Sequence, residues 1–188
     1  QIKSATFSPD GKKILALSNS NIPRLWDATT GKLFRELKGH RKEIAYATFN
    51  SQGDKVLTVS WDSTAKIWDS GTGNLLVTLL GHQSVVCYGS FSPDGKKVIT
   101  TSWDKTSKLW EAETGHLITT MYGHTGPVRS AKFNFDGSKL VTTSDDLTAK
   151  IWDLKTGNLL ANLGGKTSPV LSAFNDQDAS AKAPSPSG

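Results

Sequence analysis

His40, Ser60 and Asp62 supply, within one short stretch, the side-chain types of a hydroxyl nucleophile, its base and the acid that orients the base. The set recurs as His82, Ser102 and Asp104, and again as His124, Ser144 and Asp146. Acyl transfer needs one such set, together with a pocket and an oxyanion hole. Three copies at constant spacing point instead to a support that every unit of the fold requires. Three His spaced by 42 residues also lack the local ligand spacing of a metal site. No catalytic residue, metal or other cofactor is therefore expected.

The spacing leads to the elements that hold these residues. Trp26, Trp68, Trp110 and Trp152 stand 42 apart, and so do Gly11, Gly53, Gly95 and Gly137. With His40, His82 and His124 they form three columns in one register, without insertions. A period of this length signals a supersecondary unit that buries its faces only by stacking on copies of itself. Within residues 43–80, "EIAYATF" alternates, "KVLTVSW" is rich in β-branched residues, and "TAKIW" and "NLLVTLL" follow after short turn segments. The unit reads as a four-stranded antiparallel meander, and nothing in it has helical periodicity. Continuous apolar content in the strands predicts sheets covered on both faces.

Gly39-His40, Gly81-His82 and Gly123-His124, with Trp26-Asp27, Trp68-Asp69, Trp110-Glu111 and Trp152-Asp153, resemble the tryptophan–aspartate (WD) repeat family of β-propellers. The resemblance covers residues 2 to about 175. It implies an all-β array of radial blades at 2–38, 43–80, 85–122 and 128–164, with the first strand of a fifth at 168–175. It also implies a buried hydrogen-bond chain in each blade running from Trp through Ser and His to Asp. The structural sets would be Trp68, Ser60, His40 and Asp62; Trp110, Ser102, His82 and Asp104; and Trp152, Ser144, His124 and Asp146. Both ends depart from the pattern: Ser20 takes the Asp column in the first repeat, and Gly165-Lys166 replaces Gly-His in the fifth. Residues 176–188 read as a disordered Ser/Ala/Pro tail.

The resemblance further places partner-binding positions on the face that carries the turns between the second and third strands. One position precedes the turn Asp and holds Asn19, Trp61, Trp103 and Asp145; others, at the start of the first strand, hold Gln1, Lys3, Glu43, Ala45, Val85, Cys87, Pro127, Arg129, Pro169 and Leu171. Alternation turns Trp61 away from Ser60 and Asp62. Trp61 and Trp103, with Val85 and Cys87 between them and Arg129 and Asp145 beside them, then form an aromatic–aliphatic patch. The competing reading packs both indoles between blades. The expected function is a non-enzymatic scaffold that offers a rigid face to a protein or peptide.

The alternative is nucleic-acid or phosphate binding through the surplus of Lys and Arg, a net charge of +5. Against it, the "SPDGKK" loops mix Lys12, Lys13, Lys96 and Lys97 with Asp10 and Asp94, so no single-sign stripe forms. Arg24, Lys66, Lys108 and Lys150 form a basic column whose heads are expected in solvent. The single cysteine, Cys87, accords with a reducing compartment, the cytoplasm or nucleus, and no apolar run reaches the length of a membrane helix. Four blades and a fraction fall short of the usual seven. Gln1 in place of Met favours a piece of a larger propeller, with a homodimer that completes a ring as the second possibility.

Overall fold

The computed structural model describes residues 2–164. Gln1, Pro169, Leu171, the expected strand at 168–175 and the tail at 176–188 lie outside the described residues. Sixteen strands form four antiparallel four-stranded sheets, each in meander order, with no helix among the described residues. The first sheet holds β1 (Ile2–Phe7), β2 (Lys13–Ser18), β3 (Arg24–Asp27) and β4 (Leu33–Glu36). The second holds β5 (Ile44–Phe49), β6 (Lys55–Ser60), β7 (Ala65–Asp69) and β8 (Leu75–Leu79). The third holds β9 (Val86–Phe91), β10 (Lys97–Ser102), β11 (Ser107–Glu111) and β12 (Leu117–Met121). The fourth holds β13 (Val128–Phe133), β14 (Lys139–Ser144), β15 (Thr148–Asp153) and β16 (Leu159–Gly164). They are the blades of a propeller, stacked in chain order with the first strands innermost against their neighbours.

Each reversal has a local cause. In the β5–β6 turn Asn50 takes the Lys55 N–H on its side-chain oxygen, and Gly53 turns the chain at φ 74°. The β6–β7 turn is a four-residue loop in which the Ser63 N–H donates to the Ser60 carbonyl and Ser63 sits in the left-handed region at φ 67°. Lys105 and Leu147 repeat that conformation at 71° and 65°. In the β7–β8 turn Asp69 Oδ1 accepts from the Gly71 and Thr72 N–H groups and from the Thr72 hydroxyl. The Asp of the Trp-Asp pair is thus a turn residue. Glu111, longer by one methylene, keeps only the hydroxyl bond from Thr114.

The core is three equivalent junctions between sheets. Leu15 and Leu25 of the first sheet meet Phe49, Val56 and Trp68 of the second. Leu57, Ile67 and Leu79 then meet Val86, Val98 and Trp110, and Ile99, Leu109 and Met121 meet Phe133, Leu140 and Trp152. Adjacent residues of one strand serve opposite junctions, which is why β6 and β10 are buried almost throughout. Close approach is enforced at Gly89, where a Cβ would stand 2.9 Å from Val59 Cγ1.

Candidate interaction face and the polar chains beneath it

In the second sheet the Trp68 indole N–H donates to Thr58 Oγ1 at 2.8 Å, the Thr58 hydroxyl lies 2.8 Å from His40 Nε2, and His40 Nδ1 lies 2.9 Å from Asp62 Oδ2. The third sheet repeats the chain with Trp110, Thr100, His82 and Asp104, and the fourth with Trp152, Thr142, His124 and Asp146. The residue in the middle is threonine. Ser60, Ser102 and Ser144, expected there, are not members. The Trp68 ring stands opposite Val56 in the ladder and reaches diagonally to Thr58, one pleat short of Ser60.

The direction of each chain follows from donor counting. The carboxylate accepts, so His Nδ1 carries the hydrogen and Nε2 is left as an acceptor. The Thr hydroxyl gives its single hydrogen to Nε2 and its lone pair to the indole N–H. Burial pushes the His40 and His124 imidazoles down, against the upward pull of their aspartates. Burial alone would raise the Asp62 carboxyl. Hydrogen bonds from Thr64, the Arg41 N–H and His40 outweigh it and bring the group down to about 2. The hydroxyl, imidazole and carboxylate stand in triad order, yet Thr58, Thr100 and Thr142 are fully buried and each hydroxyl oxygen already accepts from an indole N–H. No substrate carbonyl reaches them.

Ser60 has another task. Its hydroxyl donates to the Glu43 carbonyl at 2.9 Å and accepts the Asp62 N–H at 3.1 Å. The Ser60 hydroxyl also lies 3.1 Å from the Lys42 carbonyl, and Ser102 and Ser144 donate to the equivalent Ser84 and Gly126 carbonyls. These bonds tie each turn to the segment before the first strand. The Gly of each Gly-His pair clears the ring below: a Cβ on Gly39 would meet Trp68 Cη2 at 3.1 Å.

The basic column also differs from expectation. Lys66, Lys108 and Lys150 are buried, and each ammonium donates at 2.9 Å to the neighbouring outer strand, to Thr78, Thr120 and Asn162. Acceptors directly across the ladder draw the heads inward. Arg24 pairs with Glu36 instead.

Above the chains, the anchored turns carry a continuous row. The Trp61 and Trp103 rings lie 6.0 Å apart between centroids, tilted by 48°, and remain 44% and 38% exposed. The Arg129 guanidinium stacks 5.1 Å from the Trp103 centroid and grips both oxygens of Asp145. Glu43 pairs with Lys3. One backbone bond sets every member: the Trp61, Trp103 and Asp145 N–H groups donate to the Glu43, Val85 and Pro127 carbonyls, each at 3.0 Å. Cys87 is turned inward, its thiol donating to the Val128 carbonyl at 3.0 Å, and burial pushes its pKa up. Asn21, between β2 and β3 and outside the repeating columns, donates its side-chain N–H to the His40 carbonyl.

Comparison with protein families finds similarity to the WD domain, G-beta repeat, at residues 31–69, 73–111 and 115–153, together more than half of the chain. No curated protein matches it. Each matched segment runs from the outer strand of one sheet through the third strand of the next. The His of each polar chain lies in the connection between the two.

Proposed function

The chain belongs to the WD-repeat family, whose repeats generally mediate protein–protein contacts, and on that premise we propose a non-enzymatic scaffold that presents its turn-bearing face to a protein or peptide. One observation carries the reading: Trp61 and Trp103 are paired, substantially uncovered, and mounted on turns fixed from below by the part-buried hydrogen bonds of Ser60 and Ser102. Large aromatics leave water at such a site with little ordering cost, because their frame is rigid before the partner arrives. Arg129, Asp145 and Glu43 border the pair with charges already engaged in ion pairs. That pairing weighs against a phosphate backbone as the ligand, which needs free cations of one sign. Val85 contributes its carbonyl to the Trp103 turn and Cys87 braces the neighbouring first strand, so both act in support of the row.

Trp61→Ala with Trp103→Ala tests the reading. The double variant keeps its melting temperature within a few degrees and loses at least tenfold in recovery of the proteins that the wild type retains on a column. Loss of the fold would reassign both rings to packing. Retention that disappears in wild type as salt rises, and is unaffected by the double variant, would favour the polyanion reading. A fluorescent fusion checks the cytoplasmic or nuclear placement.

A further inference from the structure

Trp68, Trp110 and Trp152 each give their indole N–H to a buried threonine. Trp61 and Trp103 do not: among the described residues neither of their indole N–H groups has an acceptor. Both rings stand on sheets with a neighbour on each side, so their exposure belongs to the filled part of the array. A shift of one repeat shows what is missing between them. Arg129 lies between Asp145 and Trp103, stacked on the indole and bonded to both carboxylate oxygens. The same column one repeat earlier holds Cys87, whose thiol turns inward to the Val128 carbonyl. That column therefore puts no side chain between Trp61 and Trp103, whose planes are inclined by 48° rather than stacked flat.

The bordering charges are already engaged, Lys3 with Glu43 and Arg129 with Asp145. A basic segment would find the carboxylates occupied, and an acidic segment the cations. Charge complementarity thus calls for a ligand that is uncharged where it meets the indoles. The free N–H groups call for carbonyl acceptors on that same ligand. A helix satisfies its own carbonyls, and an added strand needs a sheet edge, which these turns do not offer. A polyproline II segment has no internal hydrogen bonds, so its carbonyls are free to accept. Its rings suit aromatic surfaces, and its conformation is formed before binding. We infer, resting on the interaction face proposed above, that Trp61 and Trp103 hold a proline-rich segment of a partner protein in this conformation. Each indole lies against a pyrrolidine ring and donates its Nε1–H to a backbone carbonyl.

Titration with acetylated, amidated decaproline, followed on the indole nitrogen–proton resonances, tests it. The Trp61 and Trp103 resonances, assigned by their loss in Trp61→Phe and Trp103→Phe, move downfield and saturate. Those of the buried Trp68, Trp110 and Trp152 stay in place. Each Phe variant keeps an aromatic ring and removes one donor, so it weakens decaproline binding about three- to tenfold. Binding that both Phe variants leave unchanged overturns the inference. So does a glycine–serine decapeptide, hexaarginine or hexaglutamate that moves the pair as strongly as decaproline. If decaproline does not bind, the recovery assay above separates the two readings. With recovery still lost in the double Ala variant, the proline assignment alone falls; with recovery retained, the interaction face falls with it.

Discussion

Thr100→Val removes one oxygen from the buried chain of the third sheet and keeps the volume. Two partners lose their complement: the Trp110 indole N–H, bonded at 2.8 Å, and His82 Nε2, also at 2.8 Å. Thr100 is fully buried, so water does not replace the hydroxyl. Each orphaned group costs about 1–3 kcal/mol, which sums to about 2–6 kcal/mol. For a chain of this size that lowers the melting temperature by roughly 2–4 °C per kcal/mol. The sharper assay is a double-mutant cycle against Trp110→Phe, followed by urea unfolding with far-ultraviolet circular dichroism. Thr100→Val and Trp110→Phe share a lost bond and should couple by about 0.5–3 kcal/mol. Ser102→Ala removes a different pair of bonds, to the Ser84 carbonyl and the Asp104 N–H, and should add to Trp110→Phe within about 0.5 kcal/mol. Coupling between Ser102 and Trp110, with additivity at Thr100, would refute the assignment of threonine.

Nitrogen-correlated NMR of the imidazoles should find His40 and His124 as neutral Nδ1–H tautomers at pH 7.5; Nε2–H forms would reverse the inferred direction of the chains. Acid should destabilise the protein in two stages. His40 and His124 resist protonation when folded, so stability falls as pH drops below the ordinary 6.5, where the unfolded chain gains protons first. Asp62, held at about 2 when folded, adds a further loss as pH falls from about 4 through 2. Urea midpoints at pH 7.5, 5 and 3 check this, and a higher midpoint at pH 5 contradicts it. Leu147→Asn should raise the melting temperature, because Leu147 is exposed and held at φ 65°, a conformation that disfavours a branched side chain by about 1–2 kcal/mol. An unchanged or lower melting point would mean that the Leu147 side chain is stabilising where it stands.

The period, the meander and the stacking were legible because they rest on spacing, and spacing survives without coordinates. The identity of the middle hydroxyl was not. Thr58 and Ser60 recur in equal register and share one face of β6, so alternation cannot choose between them. The choice depends on how far along the ladder an indole reaches, which only the pairing of Val56 with Trp68 fixes. Yet the signal was there, for Thr58, Thr100 and Thr142 stand 42 apart like the other markers. The buried lysines were missed for a related reason. A Lys read alone points to water, and the acceptors that hold it, Thr78, Thr120 and Asn162, lie on another strand. Trp61 and Trp103 could be assigned to one side from alternation, whereas the stacking of Arg129 on Trp103 needed the distance across two sheets.

The anchored turn has an effect on what this molecule can become. Trp61, Trp103 and Asp145 sit between a Ser and an Asp that are locked by the same bond, at 3.1, 3.0 and 3.1 Å. The backbone is indifferent to whether an indole or a carboxylate is mounted there. Each rim position therefore behaves as a socket with an exchangeable fitting, so binding preference can be rewritten one blade at a time while the mounting beneath stays as it is.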